Sequence, residues 1–387
     1  MLFLQKFLQR FVVYISLFFA LVSGLFFVIY VKFLEIYQVQ FSLQESLPYI
    51  IQDLEKSLRL FSWDNNKLIL SFDFLKTVIV FIVSFIIIYA FVIYLSNFRT
   101  RSQRKLIQRA FSQYISPMVV KDILSRPESL SLGGKNAYLT VSFLDINNFS
   151  ELASEYSPKD LVEYLNEYFS RMSEIIINNK GTVDKYLGDA LMSFWGAPQA
   201  QDDHVIRACK TALEQQAALI KMRKQWKKEK KPEIRSKISL ACGDLIVGNI
   251  GSKGHFNYTV IGESVNLAAR LEKLNTVYGT DILVGDKVYH KAKHDFEFRE
   301  IDAAIIHGFK KPVRIFELLA EKGKLKDGKG ELVNAYHEAL ESFREKDYKA
   351  AKKAINHCLR IAVDDIPSQL LKEKIESMKE KNSEIEK

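Results

Sequence analysis

The sequence predicts an α+β domain, with helices over a largely antiparallel sheet, held behind two membrane-spanning helices and followed by a short helical tail. Three observations predict it. Two apolar runs, residues 11–31 and 78–95, each have about the length a bilayer-crossing helix needs. Between residues 135 and 320, strand-like runs alternate with helical patterns in a β-α-α-β-β-α-β order. Beyond residue 331 only helical spacing is left.

Residues 1–96 read as a membrane anchor. Lys6 and Arg10 precede the first run, and Arg99, Arg101, Arg104, Lys105 and Arg109 follow the second. Basic flanks at both outer ends put both termini, and all that follows residue 96, in the cytoplasm of a multi-pass protein of the cell inner membrane. A cleaved signal peptide does not fit, because no small-residue site follows Tyr30–Val31–Lys32. Residues 33–76 would then lie outside that membrane. Leu47, Ile50, Ile51, Leu54 and Leu58 recur there at helical spacing, which suggests a helical hairpin. Two roles stay open for it, a sensory element or a connector that dimerises the spans.

Composition narrows the classes. The chain has 387 residues and a net charge of +9, explained by the membrane-flanking bases and a basic tail. No nucleic-acid reader motif accompanies the charge, so a nucleic-acid partner is not expected. Cys209, Cys242 and Cys358 are widely spaced, without a CxxC or metal spacing, as in a reduced compartment.

Residues 97–134 form a juxtamembrane linker. Arg99–Ala110 continues the second span as a charged helix, and FSQYISPMVVKDIL from Phe111 starts amphipathic and is broken at Pro117. Ser131–Gly134 reads as the turn into the first core strand, Ala137–Leu144. Helices are expected near Phe149–Tyr156, over Lys159–Asn178 after Pro158, over Val205–Lys228 and over Ser264–Leu274. Strands are expected at Thr182–Leu187, Ala190–Trp195, Ile234–Ala241, Leu245–Ile250, Phe256–Ile261, Asp281–Val284, Phe296–Ile301, Ala304–Ile306 and Val313–Leu319. The run GNIGSKG from Gly248 lacks both Walker spacing and a following helix, and reads as a hairpin. After a Gly/Lys-rich linker, Gly323–Gly330, the tail (331–387) carries two short helices within Glu331–Ala362 and a further charged helix, Ser368–Met378. The pair resembles a single tetratricopeptide-like unit, which cannot bury its face alone and should pack on the preceding domain or a neighbouring chain.

The chemistry concentrates between Tyr138 and Trp195. Asp145 ends the buried run YLTVSFLD, and Gly188–Asp189 sits between two strands as a two-residue hairpin turn. If these strands pair, the two carboxylates converge, giving the hard oxygen donors a Mg²⁺ ion needs when a polyphosphate supplies the rest. On spacing alone, an ordinary turn and an ordinary strand end explain the same residues.

Three motifs in order, FLDINNFS, KYLGDALMSFWGAP and YTVIGESVNLAARLE, resemble the catalytic domain of class III nucleotidyl cyclases over about residues 135–320. The resemblance implies a ferredoxin-like palm and a homodimer with active sites at its interface. It also implies two Mg²⁺ (or Mn²⁺) per site, held by Asp145, Asp189 and the Ile146 carbonyl. It assigns Asn266 to the ribose and Arg270 to the α-phosphate in its five-coordinate state. Their i, i+4 spacing lets both reach one substrate. The 97–134 segment resembles the coupling element that precedes bacterial cyclase domains.

For the base, the resemblance points to Lys185 and Thr259. An ammonium donates to adenine N1 and a hydroxyl accepts from the 6-amino group, so ATP is the expected substrate and cyclic AMP with pyrophosphate the expected products, in cyclic-nucleotide signalling. A guanylate cyclase using GTP, or a catalytically weak dimeric receptor module, are the alternatives; a diguanylate cyclase is excluded by KYLGDA. The chain departs from the family pattern at Asn147 and Asn148, at His255, and at His307, which stands where a phosphate-contacting Lys is usual.

Overall fold

The computed structural model describes residues 61–64, 67–70, 82–94, 116–126, 131–309 and 311–385, distributed over two compact units, Met1–Ser102 and Gln103–Lys387. In the first unit, β1 (Phe61–Asp64) and β2 (Lys67–Leu70) pair antiparallel, Asp64 opposite Lys67. This corrects the helical-hairpin expectation for that part of 33–76: Phe61 and Trp63 alternate with the polar Ser62 and Asp64, a period of two that favours strand over helix. Residues 82–94 form helix α1, whose residues are exposed except for half-buried Val92. The span expected at 11–31 lies outside the described residues, as do both ends of the one at 78–95. Among the described residues no helix is long and apolar enough to cross a membrane.

The second unit opens with α2 (Pro117–Ser125), where Pro117 occupies the first turn and begins the helix rather than breaking it. The central strand β3 (Gly133–Ile146) follows, then α3 (Phe149–Ser154), α4 (Pro158–Asn178), β4 (Thr182–Leu187) and β5 (Ala190–Trp195). Ser157 caps α4 by accepting from the Asp160 amide. Next come α5 (His204–Lys228), β6 (Ser236–Gly251), β7 (Phe256–Ile261), α6 (Glu263–Tyr278), β8 (Ile282–Gly285), α7 (Asp286–Ala292), β9 (Phe296–Ala304) and β10 (Val313–Glu321). The sheet runs β4-β5-β3-β6-β8-β10-β9, with β7 also on β6. Its β6–β8 pair alone is parallel among the described pairings.

Alternation along β3 feeds two cores. Leu144 and Ile146 pack with Tyr164, Tyr168, Met172 and Trp226 of α4 and α5. Leu139 and Val141 pack on the opposite side with Leu245, Val260 and Ala268. Several strands are longer than the sequence suggests. The expected break at Gly243–Asp244 is continuous strand, since β3 pairs with β6 without interruption from Gly133↔Asn249 to Ile146↔Ser236. The Gly133–Gly134 turn is likewise strand. A Cβ on Gly248 would lie 2.2 Å from the Gly133 carbonyl oxygen, so glycine here serves close backbone approach rather than reversal. Phe296–Ala304 is also a single strand, not two.

The tail folds as α8 (Lys329–Arg344), α9 (Tyr348–Ile361) and α10 (Ile366–Ile385). Helix α10 is more than a charged appendage, because Leu371 and Ile375 close the tail's core against Leu332, Tyr336, Ala339 and Ile355. The tail docks on β9 of the sheet through α8, α10 and the loop that carries Asp365. Arg299, 2% exposed, donates to Glu317 at 2.9 and 2.6 Å and to both oxygens of Asp365 at 2.8 Å. Tyr336 donates to the Ile301 carbonyl at 2.8 Å, and Lys374 pairs with Asp302. Burial works against the Glu300 charge, but Arg314 and Arg344 hold its carboxyl down to about 2.

Candidate active site

The β4–β5 hairpin closes at Leu187↔Ala190, so Gly188 and Asp189 are its tip. Gly188 sits at φ +70°, the left-handed region such a turn demands. Since Leu144 of β3 faces Leu191 of β5, the next residue, Asp145, lies beside that tip. The two carboxyl groups come within hydrogen-bonding reach of each other. Burial, then the neighbouring Asp145 charge, pushes Asp189 up to about 6. Asp145 is raised as well, by burial and then by the charge of Glu272, with the Asp189 contact and the Ile146 amide acting in the other direction. Taken as a pair, they hold a proton more readily than two free aspartates.

Two residues that sequence reasoning passed over shape this pair. Lys237 of β6 stands directly opposite Asp145 across the β3–β6 ladder and is 9% exposed. Its ammonium opposes the upward shift of Asp189. Glu272 of α6, also 9% exposed, brings a third carboxyl to Asp145. Both could have been suspected. Lys237 is a charge inside the buried run that opens β6, residues 236–243. Glu272 falls about 200° round the helix from Arg270, on the sheet-facing stripe with Ala268, Leu271 and Asn275.

A divalent cation fits the donor set. Two hard carboxylates forced together gain by sharing a cation. Among the described residues no group of three or more His, Cys, Asp or Glu side chains could hold a metal, so further donors must come from backbone carbonyls such as that of Ile146, from water or from a bound ligand.

A second cluster joins β4 to β7. Lys185 Nζ donates to Thr259 Oγ1 at 3.2 Å, bringing together the two residues that the family resemblance assigns to the base. Thr259 Oγ1 in turn donates to Asp184 Oδ2 at 2.5 Å, and Lys185 Nζ lies 3.3 Å from Asp184 Oδ1. The Asp184 side chain is fully enclosed. Burial pushes its carboxyl up, against the pull of Thr259, Lys185 and the Val260 amide. Asp184 was not singled out from the sequence.

Asn266 is exposed on α6 and Arg270 half-buried one turn on. The Arg270 guanidinium reaches the turn that carries His307: a Cβ on Gly308 would lie 3.7 Å from its Nη2. His307 itself is exposed, and Phe309 donates its amide to the Ile306 carbonyl at 2.9 Å to close that turn. Of the other departures from the family pattern, Asn147 buries its Oδ1 without a hydrogen-bond partner among the described residues. Asn148 takes a left-handed conformation at the start of α3, and His255 lies in the exposed β6–β7 hairpin of the GNIGSKG run.

Residues 135–320 match the family model for adenylate and guanylate cyclase catalytic domains. The chain is 31% identical over 212 residues to adenylate cyclase 1 of Rhizobium meliloti, covering 54% of this chain and 31% of that protein. It is 32% identical over 184 residues to an adenylate cyclase of Mycobacterium bovis, covering 48% and 40%. Among solved structures it resembles a bacterial light-regulated adenylyl cyclase with a TM-score of 0.50 at 25% identity, over 59% of this chain and 65% of that one. The chain thus spans less than half the length of these two curated relatives.

Proposed function

The chain belongs, through residues 135–320, to the class III adenylate and guanylate cyclase family, and we propose that it is a membrane-anchored, homodimeric adenylate cyclase that converts ATP to 3′,5′-cyclic AMP and pyrophosphate. The observation that carries the reaction is the Asp145–Asp189 pair. Two carboxyls pressed together at a hairpin tip, each with its proton affinity raised, would bind a cation in place of a shared proton, which is released to solvent. Mg²⁺ or Mn²⁺ held there, with the Ile146 carbonyl as a further donor, would supply Lewis acidity toward the 3′-hydroxyl and the leaving pyrophosphate. Lys237 places a positive charge beside the pair, where a polyphosphate would lie. Asn266 and Arg270 orient the ribose and stabilise charge on the α-phosphate. His307, in the turn beside Arg270, would face the triphosphate.

Adenine is supported by the Lys185–Thr259 contact. Its ammonium is a donor for N1, and the Thr259 hydroxyl, its one hydrogen bond donated to Asp184, is an acceptor for the 6-amino group. Assembly from two copies is supported by the placement of Asn266 and Arg270 on the outer side of α6, while Glu272 on the inner side faces Asp145. Exposed apolar residues, Tyr186 and Leu187 of β4 and Ile246 and Ile261 of β6 and β7, flank the base cluster and offer surface for a second copy. Anchoring in the inner membrane is supported by the apolar exposure of α1, where Ile86, Ile87 and Ile88 are 57–62% exposed, and by the basic residues that follow it.

The test is product formation by the full chain in detergent or nanodiscs, from ATP and from GTP, with Mg²⁺ and with Mn²⁺. Cyclic AMP from ATP, lost in both Asp145→Ala and Asp189→Ala, is the expected result. Mixtures of Asp145→Ala and Arg270→Ala chains should recover activity by forming one intact site per mixed dimer. A preference for GTP refutes the adenine assignment, and no recovery after verified subunit exchange refutes the shared site.

A further inference from the structure

Regular pleating sends consecutive residues to opposite faces of a sheet. Asp184 and Lys185 break that rule, because both reach the hydroxyl of Thr259. The reason is a bulge: β4 pairs Val183 with Ser193 and Lys185 with Met192, which leaves Asp184 as the extra residue. A bulge interrupts the ladder and re-aims side chains. Here it brings a carboxylate and an ammonium to one hydroxyl.

We propose that Asp184 is a positioning residue that determines base specificity, by accepting the one hydrogen bond Thr259 can donate and so leaving that hydroxyl an acceptor toward the nucleobase. The direction of the preference rests on the adenine reading above; the coupling between Asp184 and Thr259 does not. A threonine hydroxyl has one proton and two lone pairs. The proton is donated in a hydrogen bond to Asp184 Oδ2 at 2.5 Å, and one lone pair takes the Lys185 ammonium at 3.2 Å. What is left for a ligand is a lone pair. A base with an amino group at that position donates to it, whereas a base with a carbonyl there sets oxygen against oxygen. Asp184 is enclosed, with no exposed side-chain surface, so water does not compete for the Thr259 proton. Without Asp184 the hydroxyl could turn and donate, and the discrimination would relax. Lys185, 3.3 Å from the other carboxylate oxygen, is steadied by the same group.

The experiment measures kcat/KM for ATP and GTP with the full chain, in the parent, Asp184→Leu, Asp184→Asn, Thr259→Val and the Asp184→Leu/Thr259→Val double variant. The ATP:GTP ratio is read within one preparation, so the folded fraction cancels even where a variant folds poorly. Where turnover is too slow, the same ratio is read from displacement of a fluorescent nucleotide. Asp184→Leu should lower the ratio about tenfold or more, the usual consequence of losing one fixed buried polar partner. Asp184→Asn keeps an acceptor for Thr259 and should stay within about threefold of the parent. In the Thr259→Val background, Asp184→Leu should shift the ratio by less than about threefold, since no hydroxyl remains to be oriented. An equal fall for both nucleotides, or a full shift of the ratio that persists without the Thr259 hydroxyl, overturns the proposal. So does an Asp184→Asn ratio as low as that of Asp184→Leu, which assigns the effect to charge on Lys185. A parent that prefers GTP refutes the adenine reading alone, while the coupling in the cycle still decides the role of Asp184.

Discussion

Replacing Asp189 by Asn separates the cost of the carboxylate pair from its use. The Asp189 carboxyl is held at about 6 against an ordinary 3.8, which corresponds to about 3 kcal/mol of penalty on its charge at neutral pH. The hairpin tip is open to solvent on one side, and screening there reduces this to about 1 kcal/mol. The folded value lies above the unfolded one, so the favourable contribution is complete below about pH 4 and is lost as pH rises through about 6. In chelator at pH 7.5, Asp189→Asn should therefore be more stable than the parent, with Tm higher by about 2–4 °C for a domain of this size. At pH 4.5 the difference should nearly vanish. Saturating Mn²⁺ should reverse the order: a cation at about a hundred times its Kd adds about 2.7 kcal/mol to the parent and much less to the variant. Thermal unfolding followed by fluorescence, with chelator and with Mn²⁺ at both pH values, reads all four cases. A lower Tm for the variant in chelator, equal at both pH values, would show that Asp189 serves the fold as a hydrogen-bonding group and that the pair does not repel.

Three other substitutions test neighbouring parts of the argument. Gly188→Val forces a β-branched residue to φ +70°. No atom lies within 4 Å of its Cβ, so the cost is conformational, about 1–2 kcal/mol, and the metal concentration for half-maximal activity should rise as the tip shifts. Lys237→Met removes the ammonium that restrains the upward shift of Asp189, so the acid limb of the pH–rate profile should move to higher pH; an unmoved limb refutes the electrostatic link. Arg299→Met leaves Glu317 and Asp365 buried without their cation and should cost about 3–5 kcal/mol, measured by denaturant unfolding, with limited proteolysis then cutting near residue 362 before the catalytic domain is cleaved.

What could be read in advance follows a physical divide between local and nonlocal information. Asp145 and Asp189 were visible because each is marked by its own neighbours: a carboxylate ending an apolar run, and a Gly-Asp pair between two strand patterns. Strand alternation and a two-residue turn then left one register that brings them together, and Leu144↔Leu191 is that register. Helix α6 was visible for the same reason, although it runs to Tyr278, capped by Gly279 at φ +62°, because Asn275 and Tyr278 are buried by partners far away in sequence. Gly243 misled for the opposite reason. A glycine followed by Asp244 looks like a turn, yet 14 consecutive pairs with β3 carry the strand through it, and the glycine serves contact, since a Cβ there would lie 2.4 Å from Ser264 Oγ.

The residues that escaped notice, Asp184, Lys237 and Glu272, share one property: each is a charge whose meaning depends on a partner on another element. Asp184 next to Lys185 looks like a solvated pair on an edge strand, and a period of two would put them on opposite faces. Only the slip in pairing against β5 makes them converge, and nothing local to Val183–Lys185 announces a bulge. Enclosure changes what the pair means. In water a carboxylate beside a hydroxyl is one acceptor among many, but in a closed pocket it decides where the one hydroxyl proton goes. The same holds at the Asp145–Asp189 pair, where Lys237 and Glu272 act on Asp189 and Asp145 with opposite sign from a neighbouring strand and a helix. On the proposed reading, specificity and cation affinity are set by groups behind the residues assigned to the ligand, and those groups are found by asking which buried charges face them.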